Sequence, residues 1–191
     1  MKNIAIFASG NGSNAEKIIK HFENRADTRV ALVLSNNKNA FVIERAKNLG
    51  VETVTFSKEQ FYKTNEILEI LNQNNTDLIV LAGFLWLIPG NLLQNFPKRI
   101  INIHPALLPK YGGKGMYGEK VHESVIKNGE VESGITIHFV NEFYDEGQII
   151  FQARCLVEPS ETIDSLAIKI HALEHEYFPA VVDNVLKTFK T

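Results

Sequence analysis

Along the N-terminal half of the chain, short and almost purely apolar stretches alternate with longer segments whose apolar positions recur every three or four residues. The short stretches read as strands covered on both faces. The longer ones read as helices packed along one side, and the alternation is that of βαβ units winding a parallel sheet. The strands predicted in this way are Ile4–Ala8, Val30–Leu34, Thr53–Phe56, Leu78–Ala82 and Ile100–Ile103. Helices are predicted over Asn14–Phe22, Ala40–Leu49 and Thr64–Asn74, with a short one after Pro89, a residue with no N–H to leave unpaired in a first turn.

The second half changes character. Pro105 to Gly118 has no periodicity and holds two prolines and four glycines, so it reads as a long loop, and long loops in compact domains are usually functional. A helix over Val121–Lys127 follows. Alternation through Gly134–Phe139, a loop at Asn141–Gly147 and a strand over Gln148–Val157 predict a hairpin-like pair extending the sheet. The stretch Glu158–Thr162 starts a long final helix with apolar positions at Leu166, Ile170, Leu173 and Tyr177, which Pro179 is expected to bend before Val181–Leu186. The pattern is that of an α/β protein folding as one domain over residues 1–191, with a mainly parallel twisted sheet of about seven strands flanked by helices.

Composition narrows the function classes. Hydrophobic residues make up 45% and charged residues 22% of the 191 positions, ordinary values for a globular protein. The net charge is −2 with scattered lysines and arginines, which argues against nucleic acid as a partner. No apolar run approaches the ~20 residues of a membrane span, and Met1-Lys2-Asn3-Ile4 has no signal-peptide layout, so a cytoplasmic protein is expected. Cys155 is the only cysteine, which leaves no internal disulfide and no thiolate cluster, and its setting suggests a packed thiol.

Three places carry candidate chemistry. The first strand runs into Ser9-Gly10-Asn11-Gly12-Ser13-Asn14-Ala15, where glycines let backbone N–H groups face an anion at the start of a helix. The same letters satisfy the Gly-x-Gly-x-x-Ala dinucleotide fingerprint. However, the second strand ends in Ser35-Asn36-Asn37, without the carboxylate that would grip a ribose, and Ser13 and Asn14 add donors and a helix cap suited to a phosphomonoester. The fifth strand ends in Asn102-Ile103-His104-Pro105. Alternation puts Asn102 and His104 on one face at the end of the sheet where ligands bind, an amide to stabilise an oxyanion beside an imidazole to move a proton. Asp145, in Phe143-Tyr144-Asp145-Glu146-Gly147, is either the carboxylate that supports such a histidine or a turn residue bonding its own backbone. His138 reads as cleft-facing or on the sheet surface. His171 and His175 lie four apart with Glu174 between them, but without a His-Glu-x-x-His motif no metal is expected.

Five landmarks, in order, make the chain resemble the phosphoribosylglycinamide formyltransferases, folate-dependent enzymes of purine synthesis. They are Ser9–Asn14, Leu81–Phe84, Asn102–Tyr111, Gly134–Phe139 and Asp145-x-Gly147-x-Ile149. The resemblance implies a Rossmann-like formyltransferase fold and transfer of a formyl group from 10-formyltetrahydrofolate, a co-substrate, to the amine of 5-phosphoribosylglycinamide. It implies catalytic roles for Asn102, His104 and Asp145, with Asp145 raising the pKa of His104. It also implies phosphate and acceptor contacts from Gly12, Ser13, Asn14 and Glu174, and folate contacts from Leu85, Trp86, Leu87, Ile88 and Asn102.

Trp86 stands where other members carry arginine. The segment Lys58–Lys63 is shorter than usual, with Lys58 and Lys63 the candidates for meeting a folate glutamate tail, and the loop Gly112–Gly118 is longer. Small-molecule substrates and a monomer or weak homodimer are expected. A formyltetrahydrofolate hydrolase or an NADP-binding module are the alternatives. Methionyl-tRNA formyltransferase, which would share the catalytic positions, needs a basic C-terminal extension that 191 residues leave no room for.

Overall fold

The computed structural model describes residues 1–189. Five of its strands run parallel. These are β1 (Lys2–Phe7), β2 (Thr28–Ser35), β3 (Glu52–Thr55), β4 (Thr76–Leu81) and β5 (Ile100–His104), while β6 (Glu132–Phe139) and β7 (Ile149–Leu156) add antiparallel to the far edge. The spatial order is β3-β2-β1-β4-β5-β6-β7. The order reverses between β1 and β4, so the connections leaving their carboxyl ends diverge to opposite faces and open a crevice there, the usual ligand position in open α/β sheets.

Side-chain alternation along β1 divides the core. Ile4, Ile6 and Ala8 face one buried cluster with α1 (Ser13–Phe22), α2 (Phe41–Asn48), α6 (Glu119–Lys127) and α7 (Ile163–Thr188), while Ala5 and Phe7 face a second cluster with α3 (Lys58–Lys63), α4 (Glu66–Gln73) and α5 (Gly90–Asn95). The second cluster is aromatic. Phe7, Phe56, Phe61, Phe84 and Trp86 meet at centroid distances of 5.1–6.3 Å in mostly edge-on or tilted geometry, each such pair adding about 0.5–1.5 kcal/mol to its burial.

The pattern located all seven strands and most helices, with two differences. Residues 58–63, to which the hydrophobic pattern assigns no element, form α3, started by a capping box in which Ser57 and Gln60 satisfy each other's backbone N–H groups. Two apolar residues, Phe61 and Tyr62, are too few to show a period there, and the cap was the readable signal. Pro179 lies inside α7, which runs as one helix of 26 residues. Its buried ring sits in the apolar stripe formed by Leu166, Ile170, Phe178 and Val182, so packing along the helix supports the turn that loses a hydrogen bond. No helix among the described residues is long and apolar enough to cross a membrane.

Candidate active site

The crevice at the strand ends is a cavity of about 520 Å³ whose walls come from the β1–α1 turn, the chain after β4, the end of β5, the loop before β7, and helices α6 and α7. Gly12 is the residue before α1 and adopts φ +78°, a conformation that L side chains rarely adopt. A Cβ there would also lie 2.4 Å from Val42 Cγ2, so α2 packs directly on the glycine backbone. Ser13 and Asn14, at the start of α1 where helical N–H groups have no intrahelical partner, line the cavity beside Gly12.

Ser13 and Asn14 line the cavity too, but neither caps the helix. Asn14 spends its amide on Glu174, with Nδ2 donating to Oε2 at 2.8 Å, and the same oxygen lies 3.0 Å from His171 Nδ1. Glu174 is 5% exposed, a carboxylate set in the buried stripe of α7 and held by two side chains from different helices. Sequence spacing therefore misassigned the cap, because the helix starts at Ser13 and the cap position falls on Gly12, which has no side chain.

Asn102 and His104 both face the cavity from β5. His104 is 3% exposed, and its Nε2 lies 2.7 Å from the Tyr111 carbonyl oxygen. A carbonyl only accepts, so Nε2 carries the hydrogen and Nδ1 is the nitrogen left to exchange a proton. Nδ1 lies 3.5 Å from Asp145 Oδ2. Burial lowers the pKa of His104 and outweighs the upward pull of Asp145 and of the Tyr111 carbonyl. Asp145 thus acts on His104 in the implied direction, yet the net displacement is downward, because sealing the ring under the loop removes more hydration than the carboxylate returns.

The loop holding Asp145 is locked onto β6. A Cβ on Gly147 would sit 1.6 Å from the Phe139 carbonyl oxygen, and Phe139 N–H donates to Gln148 O at 2.9 Å. Asp145 takes φ +59°, and its carboxylate accepts from the Gly113 N–H at 3.0 Å and from Asn102 Nδ2 at 3.4 Å. Burial pushes its pKa up, but the His138 side chain, the nearby His104 and the Gly113 N–H together overcome this and hold it below the usual carboxylate range. The residue sits in a turn, but its carboxylate bonds Gly113 and Asn102 and faces His104 instead of bonding its own backbone.

His138 is the group that sequence reasoning missed. It stands opposite Asn102 in the β5–β6 register and is 2% exposed. Its Nδ1 donates to Phe139 O at 2.8 Å, which leaves Nε2 to accept from Asn102 Nδ2 at 3.1 Å and so set the amide's orientation. Strand alternation flagged the position. Only the pairing register showed which partner it meets.

Leu85, Trp86, Leu87 and Ile88 all line the cavity after β4, Leu85 at its exposed mouth and Trp86 against Tyr62, Phe56 and Phe61. No lysine or arginine among the described residues lines this cavity. Lys58 and Lys63 lie off it, and Lys63 faces Glu59 at 3.7 Å. The longer loop contributes Gly113, Gly115, Met116, Tyr117 and Gly118 to the wall. His171 and His175 stack with ring centroids 6.1 Å apart, and the partner of His171 is Glu174.

Residues 2–182 match the sequence model of a family described as formyl transferase. The chain is 41% identical over 187 residues to the chloroplastic phosphoribosylglycinamide formyltransferase of Arabidopsis thaliana, covering 95% of this chain and 64% of that one. The Vigna unguiculata counterpart is 36% identical and is covered over 60% of its length, so the chain spans less than two thirds of these plant relatives. The Bacillus subtilis phosphoribosylglycinamide formyltransferase is 36% identical, with 97% of this chain and 95% of that one covered. Among solved structures, the phosphoribosylglycinamide formyltransferase of Streptococcus pneumoniae superposes with a TM-score of 0.86 at 36% identity, over 97% of this chain and 99% of that one.

Proposed function

Since the chain belongs to the formyl transferase family, we propose that it transfers the formyl group of 10-formyltetrahydrofolate to the amine of 5-phosphoribosylglycinamide, giving formylglycinamide ribonucleotide and tetrahydrofolate. The observation that carries this reading is the meeting of Asn102, His104 and Asp145 in one cavity with the open first turn of α1. An acyl-transfer centre and an anion seat share a single crevice, as a phosphorylated amine acceptor requires.

In this mechanism the acceptor nitrogen attacks the formyl carbon and negative charge moves to the formyl oxygen. The second N–H of the Asn102 amide, weakly held by Asp145 at 3.4 Å, donates to that oxygen while His138 keeps the amide turned. His104 exchanges the proton through Nδ1, passing it from the attacking amine to the departing folate nitrogen when the tetrahedral intermediate collapses. Asp145 stabilises the imidazolium that forms on the way, and its own depressed pKa keeps it anionic throughout. The peptide N–H groups at Gly12, Ser13 and Asn14 hold the acceptor phosphate, with Glu174 beside it. The apolar slot of Leu85, Trp86, Leu87 and Ile88 takes the flat donor ring.

The same reading treats residues 1–191 as one formyltransferase domain acting on small molecules in the cytoplasm, as a monomer or weak homodimer. The test is spectrophotometric release of tetrahydrofolate from 10-formyltetrahydrofolate with and without 5-phosphoribosylglycinamide, in the native chain and in His104→Ala. Release should require the acceptor and vanish in the variant. Equal release without acceptor identifies a hydrolase, and NADP binding with no formyl transfer identifies a nucleotide module.

A further inference from the structure

The nitrogen that His104 keeps free for proton exchange is chosen by a backbone group, the Tyr111 carbonyl oxygen 2.7 Å from Nε2. Tyr111 lies seven residues farther along the chain, in the loop that leaves β5. It takes φ +58°, a left-handed conformation uncommon outside glycine. Contacts from elsewhere in the fold must therefore hold the carbonyl in place.

The first part of the loop is tied to β6, where Thr136 Oγ1 accepts from the Leu108 N–H at 3.0 Å and donates to the Ala106 carbonyl oxygen at 2.7 Å. Farther on, the Gly113 N–H donates to Asp145 at 3.0 Å. Between these ties, the side chains of Lys110 and Tyr111 both reach Glu130, in the connection from α6 to β6. Lys110 Nζ donates to the two carboxylate oxygens at 2.9 and 3.1 Å, and the Tyr111 hydroxyl donates to Oε1 at 2.9 Å. The Asn128 amide donates in turn to that hydroxyl at 2.9 Å. Lys110 first and Tyr111 second hold the Glu130 carboxyl below its ordinary pKa, so it stays an anion and a strong acceptor. The Lys110 pair is largely exposed and contributes little. The Tyr111 ring is half-buried and packed on the core, so the bond to its hydroxyl is the one that fixes the loop.

We infer that Glu130 is a positioning residue of the transfer centre: it anchors the Tyr111 side chain and so keeps the Tyr111 carbonyl where it fixes the His104 hydrogen on Nε2. Glu130 itself touches no reacting group. Without the anchor the carbonyl is free to withdraw, and Asp145, 3.5 Å from Nδ1, draws the hydrogen to that nitrogen instead. A neutral ring in that form has no lone pair at Nδ1 with which to take the amine proton. The effect on rate rests on the proposed reaction, whereas the tautomer does not. His138, His122 and Glu174 also face the ring, and the variants below leave them and Asp145 unchanged.

The experiment combines histidine ring ¹⁵N NMR at about pH 8, where the ring is neutral, with initial rates of tetrahydrofolate formation. It compares the native chain with Glu130→Ala, Glu130→Gln and Tyr111→Phe. Native His104 should carry its hydrogen on Nε2. Glu130→Ala and Tyr111→Phe should shift it toward Nδ1 and lower kcat by about tenfold or more, with KM held within about twofold. The acidic limb of kcat/KM should also move to lower pH, because the carbonyl pulls the pKa of His104 up. Glu130→Gln keeps an oxygen for the hydroxyl and should restore most of the rate and the native tautomer. A Glu130 that only stabilises the fold would lower Tm and leave the tautomer and the pH limb in place, which overturns the inference, as does a native ring with its hydrogen on Nδ1. Should Glu130→Ala fail to fold, Tyr111→Phe, which loses a single oxygen, decides by the same readings. A native chain without formyl transfer sinks the proposed reaction while the tautomer still decides the anchor. Formyl transfer with an unmoved tautomer in the variants sinks the anchor alone.

Discussion

Replacing Asp145 by Asn removes one negative charge and almost no volume, so it isolates the electrostatic contribution of the carboxylate. The Asn side chain retains an oxygen for the Gly113 N–H that Asp145 engages at 3.0 Å, and the loop should keep its place. What is lost is attraction to an imidazolium whose Nδ1 lies 3.5 Å away. Two unit charges near 4 Å at an effective dielectric of about 20 interact by about 4 kcal/mol. The imidazolium exists only on the reaction path, so this loss falls on the transition state and predicts a fall of about a thousandfold in kcat with little change in KM.

The pH profile gives an independent sign. Asp145 pulls the pKa of His104 up against burial, so its removal should move the acidic limb of kcat/KM to lower pH. Initial rates of tetrahydrofolate formation from pH 5 to 9 in both forms supply the data. A loss below tenfold, or an acidic limb displaced upward, would refute the assignment of Asp145 as the carboxylate that stabilises protonated His104.

Gly12→Ala forces a Cβ to within 2.4–2.7 Å of Val42 at φ +78°. It should cost about 2 kcal/mol or more, seen as a Tm lower by roughly 4–8 °C, and should weaken phosphate binding in the folded fraction. His138→Phe leaves the Asn102 amide without the acceptor at 3.1 Å, so kcat should drop by about tenfold to a hundredfold, with partial recovery in His138→Gln, measured by the same assay. Acid should destabilise the fold. His104 lies below its ordinary 6.5 when folded, so its contribution is complete above that value and lost as pH falls through the folded pKa, and Asp145, lowered from 3.8, adds the same sign further down. His171, raised by Glu174 but half exposed, opposes this weakly. Urea midpoints at pH 7.5 and 5.5 should therefore be lower at the acidic value, and a midpoint unchanged or higher at pH 5.5 would contradict this.

Local chemistry alone determined a good part of this protein. Apolar runs of four to eight residues that alternate or carry no helical period, bounded by turn residues, read as strands covered on one or both faces, so the strand list followed from the order of residues. Alternation put Asn102 and His104 on one side of β5, because that rule holds within a single strand whatever surrounds it. Gly12 was legible as the residue of the strand-to-helix turn because that turn is itself local. The site's remaining parts depend on distances between segments far apart in the chain. The β5–β6 register brought His138 to Asn102, α7 delivered Glu174 to Asn14 across 160 positions, and the Gly147 contact with β6 set Asp145 over His104. Sequence likewise gives no measure of hydration. The downward displacement of His104 follows from how completely the fold encloses the ring, a quantity that exists only after the loop, β6 and α7 have packed around it.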